Sequence, residues 1–273
     1  MNITVLLTIL DEIAPPALAA AWDNCGVQVA GLARDITRVA VALDPQPETV
    51  AACLDFGAEF VLTHHPLYLT PKAPKVEGEY VRVLRLVLGK GAWLFAAHTT
   101  LDAVPGGPAF WLGRELGLTG TRVLEPCPGF EAGPGVPGFG EVGELPEPLT
   151  VTALAQRLSA LTGREVIQVI GPRPERVRTV AYCGGSGGDL IGLAAGMKAD
   201  AYVTGDVKYH QALMAETLVF DVGHFSLEEE MVRRLAQDLS GRLGPQGVEV
   251  RFFPGRDPYV AYAAGPCPQG LRT

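Results

Sequence analysis

Apolar and polar positions along this chain follow two alternating periods. Short continuous apolar runs at 27–30, 38–43, 59–63 and 92–97 predict strands buried on both faces. Between them, apolar residues spaced three and four apart predict helices over 48–57 and 80–89, and the rhythm continues at 110–116. The apolar opening at 3–10 reads as a core helix. A second series follows: a helix at 149–161, strands at 165–170, 177–183, 201–204 and 218–222, a helix over 226–243 and a last strand at 248–253. For the last helix, Ser226 with Glu229 three positions later predicts a capping box. Strands alternating with helices predict an α/β chain with mostly parallel sheets flanked by helices. The stretch 126–148 is dense in Gly and Pro and is expected to connect a first lobe (1–125) to a second (149–273), together one compact unit with no inserted domain.

The two halves resemble each other. Val39-Ala40 recurs at Val180-Ala181, and Ala58-Glu59-Phe60-Val61-Leu62-Thr63 matches Ala199-Asp200-Ala201-Tyr202-Val203-Thr204 at the same offset of 141 without a gap. After a later strand, His98-Thr99-Thr100-Leu101-Asp102 and His224-Phe225-Ser226-Leu227-Glu228 share the form H-x-x-L-acid. Two pseudo-repeated β-α-β lobes account for both.

At 273 residues, with 48% hydrophobic and 19% charged residues, the chain can bury a core, which excludes a disordered or charge-driven tail protein. A net charge of −8 argues against nucleic acid as a partner. The apolar opening lacks a basic flank and is too short to span a bilayer, so no membrane segment is expected. Five scattered cysteines without a C-x-x-C pair suggest reduced thiols in the cytoplasm.

All five histidines, at 64, 65, 98, 210 and 224, lie near the carboxyl end of a predicted strand, where α/β sheets gather ligands. Together with Asp102, Asp206, Asp221 and Glu228 they offer the imidazole and carboxylate donors that Zn, Mn, Fe, Co or Ni accept. Adjacent side chains of an extended chain point opposite ways, so His64 and His65 suit two metals better than one. In H-x-x-L-acid the first and last residues share a face if the chain turns helical. Trp22-Asp23-Asn24-Cys25-Gly26 reads as a turn, and the glycine run 184–188 as a tight turn or an anion cradle.

In their order, W-D-N-x-G, T-H-H-P, A-H-T-x-x-D, the Gly-Gly-Ser-Gly turn, T-G-D-x-x-x-H and D-x-G-H-x-x-x-E resemble the dinuclear-metal-centre proteins known as GTP cyclohydrolase I type 2 homologs, the NGG-interacting-factor-three-like family. The resemblance covers essentially the whole chain. It implies two divalent metal ions per subunit in a site between the lobes, with His64, His65, Asp102, His224 and Glu228 as ligands. It also implies a toroidal homohexamer. Such a pair of metals can lower the pKa of a shared water and hold an electrophile, which makes hydrolysis of a nucleotide-like or cyclic-amide small molecule the expected reaction. Glu228 is the expected bridging carboxylate, and His98 and His210 are candidates for acid-base work. The alternative is a non-catalytic metal-binding scaffold that presents a ring to partners.

Overall fold

The computed structural model describes residues 1–131, 133 and 135–262. Its strands are β1 (Gly26–Val29), β2 (Arg38–Ala42), β3 (Phe60–Thr63), β4 (Trp93–Ala96), β5 (Thr119–Pro126), β6 (Gly138–Leu149), β7 (Gln168–Ile170), β8 (Val177–Ser186), β9 (Ala201–Gly205), β10 (Leu218–Asp221) and β11 (Glu249–Phe252). The chain forms two compact units, each assembled from separate stretches. One holds Met1–Trp111, Cys127–Phe130 and Glu228–Gly255; the other holds Leu112–Pro126, Glu131–Leu227 and the described residues from Arg256 on. The units therefore do not follow a line at 126–148. β11, near the end of the chain, pairs in parallel with β2 and so belongs with the first unit.

The first unit carries a five-stranded sheet in the order β1-β4-β3-β2-β11, parallel except for the β1–β4 pair. Its central strand, Phe60-Val61-Leu62-Thr63, is buried at every position, as expected of a strand covered on both faces. The helix Pro47–Asp55 starts with Pro at its first position, where no amide is needed. The helix Glu79–Lys90 ends on Gly91, whose φ of 64° closes it in the left-handed conformation. Val50 and Leu54 from one helix and Val83 and Val87 from the other pack on Ala40, Val61 and Leu94 of the sheet. In this register Ala42, Thr63 and Ala96 lie level at the ends of β2, β3 and β4. The residues that follow β3 and β4, His64-His65 and Ala97-His98, therefore leave the sheet at one edge.

The second unit carries a six-stranded sheet, β5-β6-β8-β9-β10-β7, built on Leu124, Val142, Ala181, Tyr202 and Val219. This corrects the expectation of a mostly parallel sheet, because the β5–β6, β6–β8 and β7–β10 pairs are antiparallel. Part of the expected connector is strand β6, which pairs with β5 on one side and β8 on the other. Its glycines hid the pattern, yet they are needed there. A Cβ on Gly138 would meet the Glu125 carbonyl oxygen at 2.2 Å, and one on Gly143 would meet the Thr121 methyl at 2.8 Å.

Within each unit two parallel strands share one register. Val39 opposite Phe60 and Ala40 opposite Val61 correspond, 141 positions on, to Val180 opposite Ala201 and Ala181 opposite Tyr202. A carboxylate clamps each pair at its start. Glu59 Oε2 accepts from the amides of Thr37 and Arg38, and Asp200 Oδ2 accepts from those of Arg178 and Thr179.

The helix expected at 226–243 begins earlier and spans His224–Leu243. Ser226 does not cap it: its hydroxyl donates back to the carbonyls of Val222 and Gly223. Gly223, at φ 84°, makes the preceding turn. The glycine run at 184–188 is bound into the fold as well. Strand β8 continues through Ser186, the Gly187 amide donates to Thr204 Oγ1, and its carbonyl accepts from Tyr202. The Gly187 amide and carbonyl are committed to internal bonds, which favours a tight turn at this residue over an anion cradle. No helix among the described residues is long and apolar enough to cross a membrane.

A Cβ on Gly205 would lie 2.4 Å from the His224 amide nitrogen, whereas one on Gly184 would meet nothing within 4 Å. Gly205→Ala is expected to destabilise the protein by about 1–3 kcal/mol through overpacking, and Gly184→Ala to be close to neutral. Thermal unfolding of the two variants beside the parent checks the difference.

Candidate metal centre

Strand β3 ends at Thr63, and the chain bends at the next two residues instead of continuing extended. The bend is fixed by the backbone: the His64 amide donates to the carbonyls of Ala42 and Leu43, and the His65 amide to Leu43. Both side chains consequently reach one carboxylate. His64 Nε2 lies 3.6 Å from Glu228 Oε1, and His65 Nε2 lies 3.0 Å from Glu228 Oε2. Asp102 Oδ1 lies 3.7 Å from His64 Nε2. His98, from the end of β4, completes the group, with ring centroids 5.0 Å from His64 and 5.4 Å from His65. His64, His65 and His98 each offer a nitrogen within 4.8 Å of the others.

The orientation of each ring is set from behind. His64 Nδ1 meets the Ala97 carbonyl at 2.7 Å, His65 Nδ1 meets Asp44 at 2.7 Å, and His98 Nδ1 meets Asp23 at 2.9 Å. Carbonyl and carboxylate oxygens only accept, so each Nδ1 carries a proton and Nε2 is the nitrogen left to take up a cation or a proton. In the second unit His224 follows the same rule, with Nδ1 at 2.8 Å from Asp206 Oδ2. His224 opens the helix that carries Glu228, four residues earlier and hence on the same helical face.

Charge within the first unit is concentrated around these rings. Burial pushes the His64 imidazole down, but Asp102 and Glu228 outweigh it and hold its pKa above the ordinary value. Burial likewise opposes protonation of His65, and the bonds to Asp44 and Glu228 overcome it, raising the pKa from 6.5 to about 10. Asp102 is shifted upward, first by burial and then by Glu228, against the pull of His64. Two carboxylates so close together call for positive charge between them.

The residues present fit a metal. His64 is 1% exposed, and its Nε2 makes no hydrogen bond although two carboxylates face it at 3.6 and 3.7 Å. A buried polar atom of this kind costs about 1–3 kcal/mol unless something satisfies it. The donor set of imidazoles and carboxylates, without thiolate, matches borderline divalent ions.

Of the residues expected from sequence, His64, His65, Asp102 and Glu228 meet in this arrangement, and His98 joins them. His210 is exposed on the short helix Tyr209–Leu213, its ring edge-on to Tyr209 at 5.3 Å. Sequence reasoning missed Asp44 and left Asp23 as an ordinary turn residue. Asp44 follows β2 at the same sheet edge as the histidines, and that position was the available signal. Of the cysteines, Cys25 Sγ donates to Asp23 and Cys53 is fully buried, while Cys267 lies outside the described residues.

The family model for Duf34/NIF3 (NGG1p interacting factor 3) matches residues 1–258. Among curated relatives, a protein of Streptomyces coelicolor named GTP cyclohydrolase 1 type 2 homolog is 32% identical, with 96% of this chain and 95% of its own length aligned. A protein of the same name from Clostridium perfringens is 28% identical over 95% of this chain and 99% of its own. Among solved structures, that of a Bacillus cereus protein related to NIF3 superposes with a TM-score of 0.85 at 22% identity, covering 96% of this chain and 99% of the other, and supports the fold.

The raised His65 pKa makes metal-free stability depend on pH. A histidine whose folded pKa exceeds its unfolded value contributes fully below the unfolded value and loses that contribution as pH rises through the folded one. Chelator-treated protein is therefore expected to lose stability between pH 6.5 and about 10, and His65→Gln to flatten that slope. Urea unfolding midpoints across this range provide the check.

Proposed function

We propose, since the chain belongs to the Duf34/NIF3 family, that it is a metal-dependent hydrolase in which His64, His65, Asp102, His224 and Glu228 hold two divalent cations. The observation that carries this reading is the disposition of Glu228. Its two oxygens are divided between two imidazoles, Oε1 toward His64 and Oε2 toward His65. A carboxylate placed in this way would help to hold a pair of cations. The recurrence of strand register and carboxylate clamp at an offset of 141 supports a duplicated β-α-β unit as the origin of the second half of the ligand set, His224 and Glu228.

When bound, two divalent ions supply Lewis acidity and lower the pKa of coordinated water. The chain's own residues do the rest. Asp44 and the Ala97 carbonyl fix the tautomers and directions of His65 and His64, so the donor atoms are set before any ligand arrives. Asp102 and Glu228 contribute the negative charge that retains the cations.

A cavity of about 600 Å³ adjoins His65 and Asp44 and is bounded further by Pro66, Lys72, Val76 and Tyr80. That volume suits a small molecule, and a nucleotide-like or cyclic-amide substrate agrees with the name of the curated relatives. The donor set is compatible with Zn, Mn, Fe, Co or Ni, and the assembly we propose is a homohexameric ring in the cytoplasm.

Elemental analysis is expected to find two divalent ions per chain in the parent and loss of both in a His64→Ala, His65→Ala double variant. In a screen over nucleotides, phosphoesters and cyclic amides, turnover by the parent that disappears in the variant supports the hydrolase. Turnover that survives in the variant removes the metal mechanism. Metal retention without turnover of any class favours the scaffold, and mass in solution tests the ring.

A further inference from the structure

The Asp23 carboxylate lies beside the cluster and accepts several hydrogen bonds. Its side chain is 0% exposed. Oδ1 accepts from the Asn24 amide at 2.7 Å and from His98 Nδ1 at 2.9 Å. Oδ2 accepts from the Thr99 amide at 3.1 Å, from Cys25 Sγ at 2.9 Å and from the Thr99 hydroxyl. Thr99 is pinned in turn, its Oγ1 accepting from the Ala20 amide at 3.0 Å. Both ends of the carboxylate are thus fixed by backbone amides, and it cannot turn without breaking several bonds at once. A carboxylate needed only to stabilise a turn would be satisfied by those amides. Here one oxygen is aimed at the ring of His98, seventy-five residues away in sequence. Trp22, 61% exposed, sets its ring edge-on to His98 with centroids 5.8 Å apart and limits rotation on that side.

We infer that Asp23 is a positioning residue that locks His98 as the Nδ1-protonated tautomer, so that His98 presents an Nε2 lone pair beside His64 and His65 as the general base of the hydrolytic site. This rests on the proposed hydrolase and assigns His98 a role outside the ligand set. Nε2 takes a proton from the attacking water as its oxygen bonds to the electrophilic atom of the substrate. The same proton then passes to the departing nitrogen or oxygen as that bond breaks. No oxidant or reductant enters, and Asp23 stays ionised throughout, stabilising the imidazolium between the two transfers. A histidine held in the opposite tautomer would present an N–H and could not accept.

Nitrogen-15 spectra of the histidine rings of metal-free protein, in mildly alkaline buffer and assigned with His98→Gln, read the tautomer directly. The expected result is a pyridine-like Nε2 signal for His98 in the parent and a shift toward the Nε2-protonated form in Asp23→Asn. An Nε2-protonated His98 in the parent overturns the inference, as does an unchanged His98 in a folded Asp23→Asn. Should that variant fail to fold, the parent spectrum still decides. Zinc titration separates the remaining roles: the Nε2 signals of His64 and His65 should move while that of His98 stays in place. Movement of the His98 signal to a coordinated position makes it a ligand and overturns its assignment as base. Zinc that moves no ring defeats the metal reading of the site, whereas the tautomer measurement, made without metal, still decides the role of Asp23.

Discussion

An imidazole nitrogen buried without a hydrogen bond, facing two carboxylates just beyond bonding reach, is the constraint around which this protein is arranged. His64 Nε2 occupies that position. Taken alone, each part of the arrangement is unfavourable: the nitrogen is desolvated, and Asp102 and Glu228 are like charges held close together in a partly buried place. A proton relieves part of this, which is why the histidine pKa values are driven upward. A cation shared by the same groups relieves all of it, because it satisfies nitrogen and carboxylates together. The folded chain spends packing energy to maintain an arrangement that only a positive charge completes.

That arrangement depends on strand register more than on any single side chain. β2, β3 and β4 run parallel and end level, so Asp44, His64-His65 and His98 emerge at one edge from three neighbouring strands. At that edge the ladder no longer claims the backbone, and the chain is free to bend sharply enough at 64–65 for neighbouring rings to converge. The buried apolar triplet Phe60-Val61-Leu62 supports this, since slipping the strand by one residue would exchange the side chains packed on its two faces and carry both histidines with it. Core packing and ligand placement therefore share one determinant.

The same reasoning explains what could be read before the structure was known. Strands β2, β3, β4, β9 and β10 were legible because parallel, doubly covered strands are continuous apolar runs. The clustered histidines were legible because they sit immediately after such runs. β5 and β6 were not, since an antiparallel pair rich in glycine and proline shows neither a continuous run nor a clean alternation, and its glycines answer to close contacts that only the folded sheet creates. The start of the helix at His224 was obscured by a plausible cap at Ser226, whose hydroxyl instead bonds backward. Asp44 and Asp23 escaped for a different reason. Their partners are 21 and 75 residues away, and no local pattern marks an acid whose function is to hold a distant ring.

These acids clarify why one histidine is treated differently from the rest. His65, His98 and His224 each set Nδ1 against a carboxylate, whereas His64 sets it against the Ala97 carbonyl. A carboxylate behind an imidazole raises its basicity and strengthens it as a donor, but it also adds a charge that must be hydrated or paired. His65 and His224 are partly exposed, and water can share that charge; His64 is fully enclosed and already faces Asp102 and Glu228. A third carboxylate there would add repulsion with no solvent to screen it, so a neutral carbonyl fixes the tautomer at lower cost. Asp206 shows how far the fold goes to supply the charged version where it is tolerable: it holds φ at 57°, a conformation that L residues seldom adopt and that costs about 1–3 kcal/mol, while its carboxylate meets His224. Strain of that size persists only where the surrounding structure compensates it, and here it persists at a residue whose side chain orients a histidine.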